Sequence, residues 1–422
     1  MNPGAVVLIG LIGLSILGIP IYMALGIGTV VAMTMSGMPL VVIPQKMFVG
    51  IDSVSLLAIP FFMIAGNVMA KGITLKLIDV SNSLIGWVKG SLGMVTVLAS
   101  ALFGAITGSA VATVSAIGGT TIPAMKREGY SDEFACAIAS AASILGPLVP
   151  PSITLIVYGA IVETSIADLF LASIIPAIIT VTAFLVYTNL YAKKHNYPSH
   201  PRMKPREIAL TFKNSIWALL MPVIILGGIF GGIFTPTEAS AISVVYSIIV
   251  SIFIYKDMSY KDIFPIFAEA GISAATILCL VGLSKSSSYV IVTSQLPQKV
   301  LTLFTSLTSS TVVLLIFINI LFLIIGMLME ANAAIVMMTP LLMPLLTAYK
   351  IDTIHFGMIM SMNLYIGLLT PPVGVCLLLG NTIGGGQFSK TLKEAIPFML
   401  IALVVLLLIT YFPPLTTWLP SL

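Results

Sequence analysis

Charge is scarce in this chain. Of its 422 residues only 8% are Asp, Glu, Lys or Arg, while 58% are hydrophobic. A water-soluble fold of this length needs a far more polar surface, so that class is excluded. Cysteine is nearly absent too. Cys136, Cys279 and Cys376 lie far apart in apolar runs, with no disulfide or metal spacing, and read as small core residues. There are three histidines, His195, His200 and His355. No HExxH or GxSxG occurs, and the GGG at 384–386 is not followed by GKS or GKT. The chain therefore lacks the zinc-protease helix, the nucleophile elbow and the P-loop. Enzymatic chemistry and ATP drive find no residues here, and no organic cofactor is indicated; an ion gradient is left as the energy source. The net charge of +4 is small and sits in loops, which suits membrane loops and gives no footprint for nucleic acid.

What the chain does have is length of apolar run. Mean hydropathy is +1.13, and runs of about 20 apolar residues, enough to span a bilayer, recur from end to end. They do not alternate apolar with polar, so they are not barrel strands. The expectation is an all-α polytopic membrane protein. Its apolar segments fall at 4–36, 55–70, 91–125, 131–163, 168–192, 214–232, 237–255, 263–283, 301–347, 353–381 and 395–412. The opening MNPGAVVLIGLIGLSILGIP has no basic n-region; it reads as a first membrane helix rather than a cleaved signal.

Orientation follows from one loop. Residues 193–214 hold Lys193, Lys194, Arg202, Lys204, Arg206 and Lys213 against a single acid, Glu207. The positive-inside rule puts that loop in the cytoplasm. Counting back, 168–192 runs outside to inside and 131–163 the reverse. Lys89, Lys126 and Arg127 then share the cytoplasmic side. So 91–125 must enter and leave from that side, as a re-entrant hairpin with the small, polar AITGSAVAT at its tip. Counting forward, 301–347 enters and leaves from the outside. Trp87, Trp217 and Trp418 fall near segment ends, as in an aromatic belt.

The two halves then match. LGPLVPPSITLIVYG at 145–159 resembles IGLLTPPVGVCLLLG at 366–380, and Pro371 lies 221 positions after Pro150. The same offset pairs Pro123 with Pro344, Gly146 with Gly367, Pro151 with Pro372, Gly159 with Gly380 and Pro176 with Pro397. The two copies face opposite ways, which makes an inverted-topology repeat of the secondary-transporter kind. In lipid, broken helix is tolerated only where it is buried in protein or lines a wet cavity. Matched breaks therefore point to a midplane site. Carbonyls freed at Pro150–Pro151 and Pro371–Pro372 can ligate a hard cation such as Na⁺. The tips can add oxygen from Thr107, Ser109 and Thr113, and from Glu330 and Asn332. The helix starts after the breaks, at Pro151–Ser152 and Pro372–Val373, can face an anionic substrate. The bland alternative is that the prolines only kink packed helices.

Single residues carry their own pairs of readings. A carboxylate in a long apolar run, as Glu330 is, reads as functional, or as the occupant of a wet hairpin tip. Lys285 reads as a snorkelling lysine at the outer end of 263–283, with a substrate ligand as the alternative. Glu238 in FTPTEAS is either a helix-start acid or part of the scaffold. Gly227, Gly228, Gly231 and Gly232 form overlapping GxxxG pairs suited to close helix contact.

The stretches PQKMFVGIDSVSLLAIPFFMIAG, FGAITGSAVATVSAIG, GYSDEFACAIASAASILGPLVPPSI, FTPTEAS, LLTPPVG and YFPPLTTWLP together resemble the large membrane subunit of TRAP (tripartite ATP-independent periplasmic, DctM-like) transporters. The likeness covers nearly the whole chain. It implies Na⁺-driven import of an organic acid, such as a C4-dicarboxylate, a sialic acid or another sugar acid, across the bacterial inner membrane. A periplasmic binding protein would deliver the substrate, and a small Q-type membrane subunit would complete the assembly. Some relatives fuse that subunit to the N-terminus. This chain starts at the large-subunit segment, so a separate polypeptide is expected.

The resemblance also implies an elevator in which a transport domain slides on a scaffold within membrane lipid. Scaffold helices would occupy 1–90 and 214–300, transport repeats 91–192 and 301–422, and a basic loop 193–213. One sodium site would involve Thr107, Gly108, Ser109, Gly146, Val149 and Pro150. The other would involve Gly326, Glu330, Asn332, Gly367, Thr370 and Pro371. Thr107 stands where serine is common in the family, and it keeps the hydroxyl. A stand-alone dicarboxylate or citrate-type transporter, a passive channel and a membrane enzyme are the rival classes. Neighbouring genes for a binding protein and a small subunit would separate the first rival from a tripartite system.

Overall fold

A computed structural model describes residues 2–422, and among these there is no strand. Eight helices are long and apolar enough to cross a membrane, or nine if the pair Val42–Ile51 and Val54–Ala70, bent by 69°, counts as one span. A helix satisfies its own backbone, which is what hydrocarbon demands. The chain is thus the all-α polytopic membrane protein that its composition calls for.

The first apolar segment is two helices, not one. Pro3–Ile16 and Ile21–Met35 turn back on each other at Gly18, whose φ of 83° is left-handed, and at Pro20. They touch where Gly28 meets the first helix: a Cβ there would lie 3.1 Å from the Val7 carbonyl. The 14-residue helix reaches only about 21 Å at ~1.5 Å per residue, short of a ~30 Å hydrocarbon core.

Two further helices lie outside the expected segments. Ile73–Ile85 packs on Ser91–Thr107 and Pro205–Phe230, and Val42–Ile51 lies along the long helix Tyr260–Thr293. Gly50 allows that approach, since a Cβ on it would sit 2.6 Å from Lys285 Cγ. The Ser286 hydroxyl donates to the Ile43 carbonyl across the same seam at 2.9 Å. Lys285 is therefore inside a helix that continues to Thr293, rather than at the outer end of one, and its aliphatic stem covers the neighbouring glycine.

The basic loop is shorter than the charge pattern suggested. Ile166–His195 carries Lys193, Lys194 and His195 in its last turn, where cations complement the helix dipole. Pro205–Phe230 starts early, with Pro205 at its first position and the Glu207 carboxylate accepting the Lys204 N–H at 2.8 Å. Only 196–204 remains, and it is clasped. Gly90 N–H donates to the Pro198 carbonyl at 3.0 Å, and His200 N–H to the Gly86 carbonyl at 3.0 Å. The His200 ring bridges Ser91 Oγ at 3.0 Å and Glu128 Oε1 at 2.9 Å. The connections into and out of 91–192 are thus held side by side. At the other scaffold turn, Glu238 accepts the Thr235 N–H at 2.8 Å and hydroxyl at 2.9 Å, so it is a capping acid. Gly228 is filled from within the chain, by the Phe234 ring, while Gly227 faces open space.

Two helical hairpins are each followed by a broken helix, and Phe388–Tyr411 follows the second. Ser91–Thr107 turns at Gly108 and Ser109 into the helical stretch 110–127, after which Asp132–Val162 is interrupted at 149–152. Thr311–Leu328 turns at Met329 and Glu330 into Ala331–Ala348, after which Thr353–Gly367 and Val375–Gly384 are separated by 368–374. The second hairpin begins at 311, not 301. Extended backbone at Thr308 and Ser310 sets off Leu296–Leu307 as a separate helix. The Tyr349 hydroxyl ties this turn to the hairpin by donating to the Thr308 carbonyl at 2.6 Å.

Clasping by itself does not say which side of the membrane 196–204 occupies; the excess of basic residues does. A single cysteine replacing exposed Arg202 should react with an impermeant maleimide only after cells are permeabilised. Labelling in intact spheroplasts would reverse the orientation.

Candidate functional site

The first tip is laid directly on the first break. Gly104 faces Gly146, where a Cβ on Gly104 would lie 2.7 Å from the Gly146 Cα. A Cβ on Gly146 would lie 2.7 Å from the Ser109 carbonyl oxygen and 2.6 Å from Thr113 Oγ1. Gly108 is left-handed, with φ 61°, and its vacant side faces the Pro151 carbonyl. Glycine is needed at these points because two backbones approach to contact. Gly108, Ser109, Gly146 and the Pro150–Pro151 pair are thus brought together, with Val149 in extended backbone at the start of the break.

The side chains at this tip are mostly engaged locally. The Thr107 hydroxyl donates to the Phe103 carbonyl at 3.2 Å, and Thr113 to the Ser109 carbonyl at 2.7 Å. Thr107 also packs against Gly66 of Ala58–Ala70. Ser109 Oγ accepts the Ala112 N–H at 3.4 Å. Pro150, Pro151 and Ser152 are buried. Ser152 caps the helix after the break, accepting the Leu155 N–H at 3.4 Å. Its Oγ also lies 3.1 Å from the Tyr365 hydroxyl, which joins the first break to the helix leading into the second.

The second pair uses the same device. Gly367 lies against Gly326, and a Cβ on Gly367 would come 2.5 Å from both the Cα and the carbonyl oxygen of Gly326. At the tip, Glu330 caps Ala331–Ala348. Its Oε2 accepts the Ala333 N–H at 3.2 Å and its Oε1 accepts Asn332 Nδ2 at 2.7 Å. Asn332 is buried, and its Oδ1 has no partner. The Thr370 hydroxyl donates back to the Ile366 carbonyl at 2.9 Å. Here the break is open: Pro371 is half-buried, and Pro372 and Val373 are exposed. Both Pro–Pro bonds, 150–151 and 371–372, are cis.

Both tips face one cavity of about 700 Å³. Ser109, Thr154, Glu330, Asn332 and Tyr365 line one side. Tyr22 of Ile21–Met35 and Ser273 and Thr276 of Tyr260–Thr293 line the other. The four positions expected to face a substrate, Pro151, Ser152, Pro372 and Val373, are not among the lining residues. Their neighbours Ile153, Thr154 and Val375 are. Sequence reasoning also passed over Tyr22, Tyr365, Ser273 and Thr276. The signal for the last two was a hydroxyl pair three residues apart in an apolar helix, which puts both on one face.

The description "Tripartite ATP-independent periplasmic transporter, DctM component" belongs to the family model that matches residues 8–415. The chain belongs to the DctM family. Over 410 residues it is 40% identical to the uncharacterized protein YgiK of Salmonella typhimurium, covering 96% of this chain and 94% of that one. It is 38% identical to the C4-dicarboxylate TRAP transporter large permease DctM of Pseudomonas aeruginosa, covering 89% and 88%. It is 36% identical to the isethionate TRAP transporter permease DctMQ of Oleidesulfovibrio alaskensis, covering 94% of this chain and 63% of that longer protein. In fold it resembles the YdaH transporter of Alcanivorax borkumensis, with a TM-score of 0.64 at 14% identity over 89% and 88% of the two chains. A DctM-family chain is a transporter permease and not an enzyme.

The glycine contact predicts a stability difference. Gly367→Ala forces the Gly326 backbone aside and should lose roughly 1–3 kcal/mol in denaturant unfolding of the purified protein. Gly119→Ala, where a Cβ meets nothing within 4 Å, should change stability by less than about 0.5 kcal/mol.

Proposed function

We propose that this DctM-family permease imports an organic acid anion, coupled to Na⁺, across a bacterial inner membrane. The observation that carries the reading is the meeting of two hairpin tips and two broken helices at one cavity. Sodium is a hard cation that takes oxygen ligands. The donors at these tips are oxygens: the Ser109 carbonyl beside Gly146, the Glu330 carboxylate, and the Asn332 Oδ1 that has no protein partner. They fit the two sets proposed as sodium sites, one at Thr107–Ser109 with Gly146–Pro150, the other at Gly326, Glu330 and Asn332 with Gly367–Pro371.

The mechanism follows from these contacts. A cation bound between tip and break bridges the two backbones, which are already in contact, and offsets the Glu330 charge. The offset charge favours an anion in the adjoining cavity, and the two ligands then strengthen each other's binding reciprocally. The hairpins and broken helices move as one elevator body, because glycine-to-glycine contacts lock them while the cavity wall opposite is a separate set of helices. The clasp between 86–91 and 196–204 lies where the chain passes between the two bodies. The tripartite description of the family and the fused DctMQ relative support two partners, a periplasmic binding protein and a small membrane subunit.

In proteoliposomes holding both membrane subunits, uptake should require a Na⁺ gradient and the cognate binding protein. Uptake indifferent to both would sink the proposal. Glu330→Ala should raise the Na⁺ concentration for half-activation by tenfold or more, the equivalent of about 1.4 kcal/mol. Unchanged Na⁺ activation would remove Glu330 from the site. Pro150→Ala should lower the transport rate several-fold at wild-type membrane levels, and full activity would reduce the break to a kink.

A further inference from the structure

Lys285 does not line the cavity. It belongs to a second constellation, on the seam between Val42–Ile51 and Tyr260–Thr293. Lys46 and Gly50 are one turn apart on the shorter helix, and Lys285 and Tyr289 one turn apart on the longer, so each pair shares a face. The pairs cross. The Lys285 stem lies against Gly50, and Lys46 Nζ stands 5.1 Å from the centre of the Tyr289 ring. Two cations and a phenol are thereby brought to one place. Among the described residues neither lysine has an ion pair, and Asp52, the acid that ends the shorter helix, pairs with neither. The ring face eases the cost of holding Lys46 but cancels no charge.

The orientation set by the basic loop takes the long helix outward. Its 34 residues run about 51 Å at ~1.5 Å per residue, against a hydrocarbon core of ~30 Å. Centred on that core, it would pass beyond each face by roughly 10 Å. Lys285 precedes Thr293 by two turns, about 12 Å. The constellation therefore sits where hydrocarbon gives way to headgroups, and an uncompensated cation at that depth is costly. Lys46, Lys285 and Tyr289 are all half-buried. Val49 beside Lys46 and Val292 beside Tyr289 are 67% and 49% exposed, which leaves the place open sideways, toward acyl chains. A counter-charge that carries its own apolar body, at this level, is the phosphodiester of a lipid.

We infer that Lys46, Lys285 and Tyr289 seat the phosphate of an anionic phospholipid in the outer leaflet, and that the shared headgroup pins Val42–Ile51 to the long helix. The test is native mass spectrometry of the delipidated full-length chain in detergent, titrated with dioleoylphosphatidylglycerol or dioleoylphosphatidylcholine. Phosphatidylglycerol should bind about tenfold more tightly or better, and excess inorganic phosphate should leave it bound. Lys46→Gln and Lys285→Gln should each weaken it about fivefold. Lys285→Arg, which keeps the charge, should hold within about twofold. So should Lys350→Gln, at an exposed lysine on the outer turn of the second hairpin. Without lipid all variants should melt with the wild type, and added phosphatidylglycerol should raise the midpoint less in the two seam Gln variants. Equal affinity for the two lipids, displacement by inorganic phosphate, or a loss in Lys350→Gln as large as in Lys285→Gln would overturn the inference. So would seam substitutions that leave phosphatidylglycerol affinity unchanged, the result expected if the lysines face a carboxylate of the small membrane subunit instead.

Discussion

Backbone that is not hydrogen-bonded cannot face hydrocarbon, and this chain has four such places deep in apolar sequence: two hairpin tips and two helix breaks. The structure answers by pairing them. Each tip's approach helix is laid against the helix that leads into a break, and the contact is made by glycine on both sides, Gly104 with Gly146 and Gly326 with Gly367. No side chain intervenes, so carbonyls from two segments are presented to one small volume. The same pairing that makes irregular backbone tolerable in a membrane also concentrates oxygen ligands where an ion can be held.

The halves share this plan but are not equivalent. The first break is buried, capped by Ser152 and tied to Tyr365. The second exposes Pro372 and Val373. It is braced instead by a buried amide chain, in which Asn363 Nδ2 donates to Asn319 Oδ1 at 2.8 Å and Asn319 Nδ2 to Thr410 Oγ1 at 3.3 Å. Buried polar groups hold their elements in one register because misplacement leaves them unpaired. The carboxylate also belongs to the second half alone: Glu330 caps its tip, where the first tip has Ser109. Charge and openness thus fall on one repeat and burial on the other.

Some features were legible in the residues because they have local causes. The hairpin tip at AITGSAVAT and the breaks at the two PP pairs follow from composition over a few residues. Errors came where ends depend on capping or on a neighbour. Pro205–Phe230 starts inside a basic stretch because Pro205 and Glu207 make a good helix start. Val42–Ile51 was missed because its 10 residues are too few for a span and are held by the long helix beside them. Lys285 was placed at the outer end of a segment that ends at 283, while the helix runs on to Thr293 and Gly50 makes room for the lysine.

By itself the sequence determined the membrane class, the helical fold and the pairing of two broken helices, since those rest on hydropathy, period and proline. It also singled out Glu330, because an acid in an apolar run stands alone. Only the tertiary structure decided which residues face the cavity. Tyr22, Thr154, Ser273, Thr276 and Tyr365 come from four separate helices. A hydroxyl within an apolar helix looks the same in sequence whether it bonds its own preceding turn or faces a chamber. The difference is set by what packs against it, and that is a property of the whole fold.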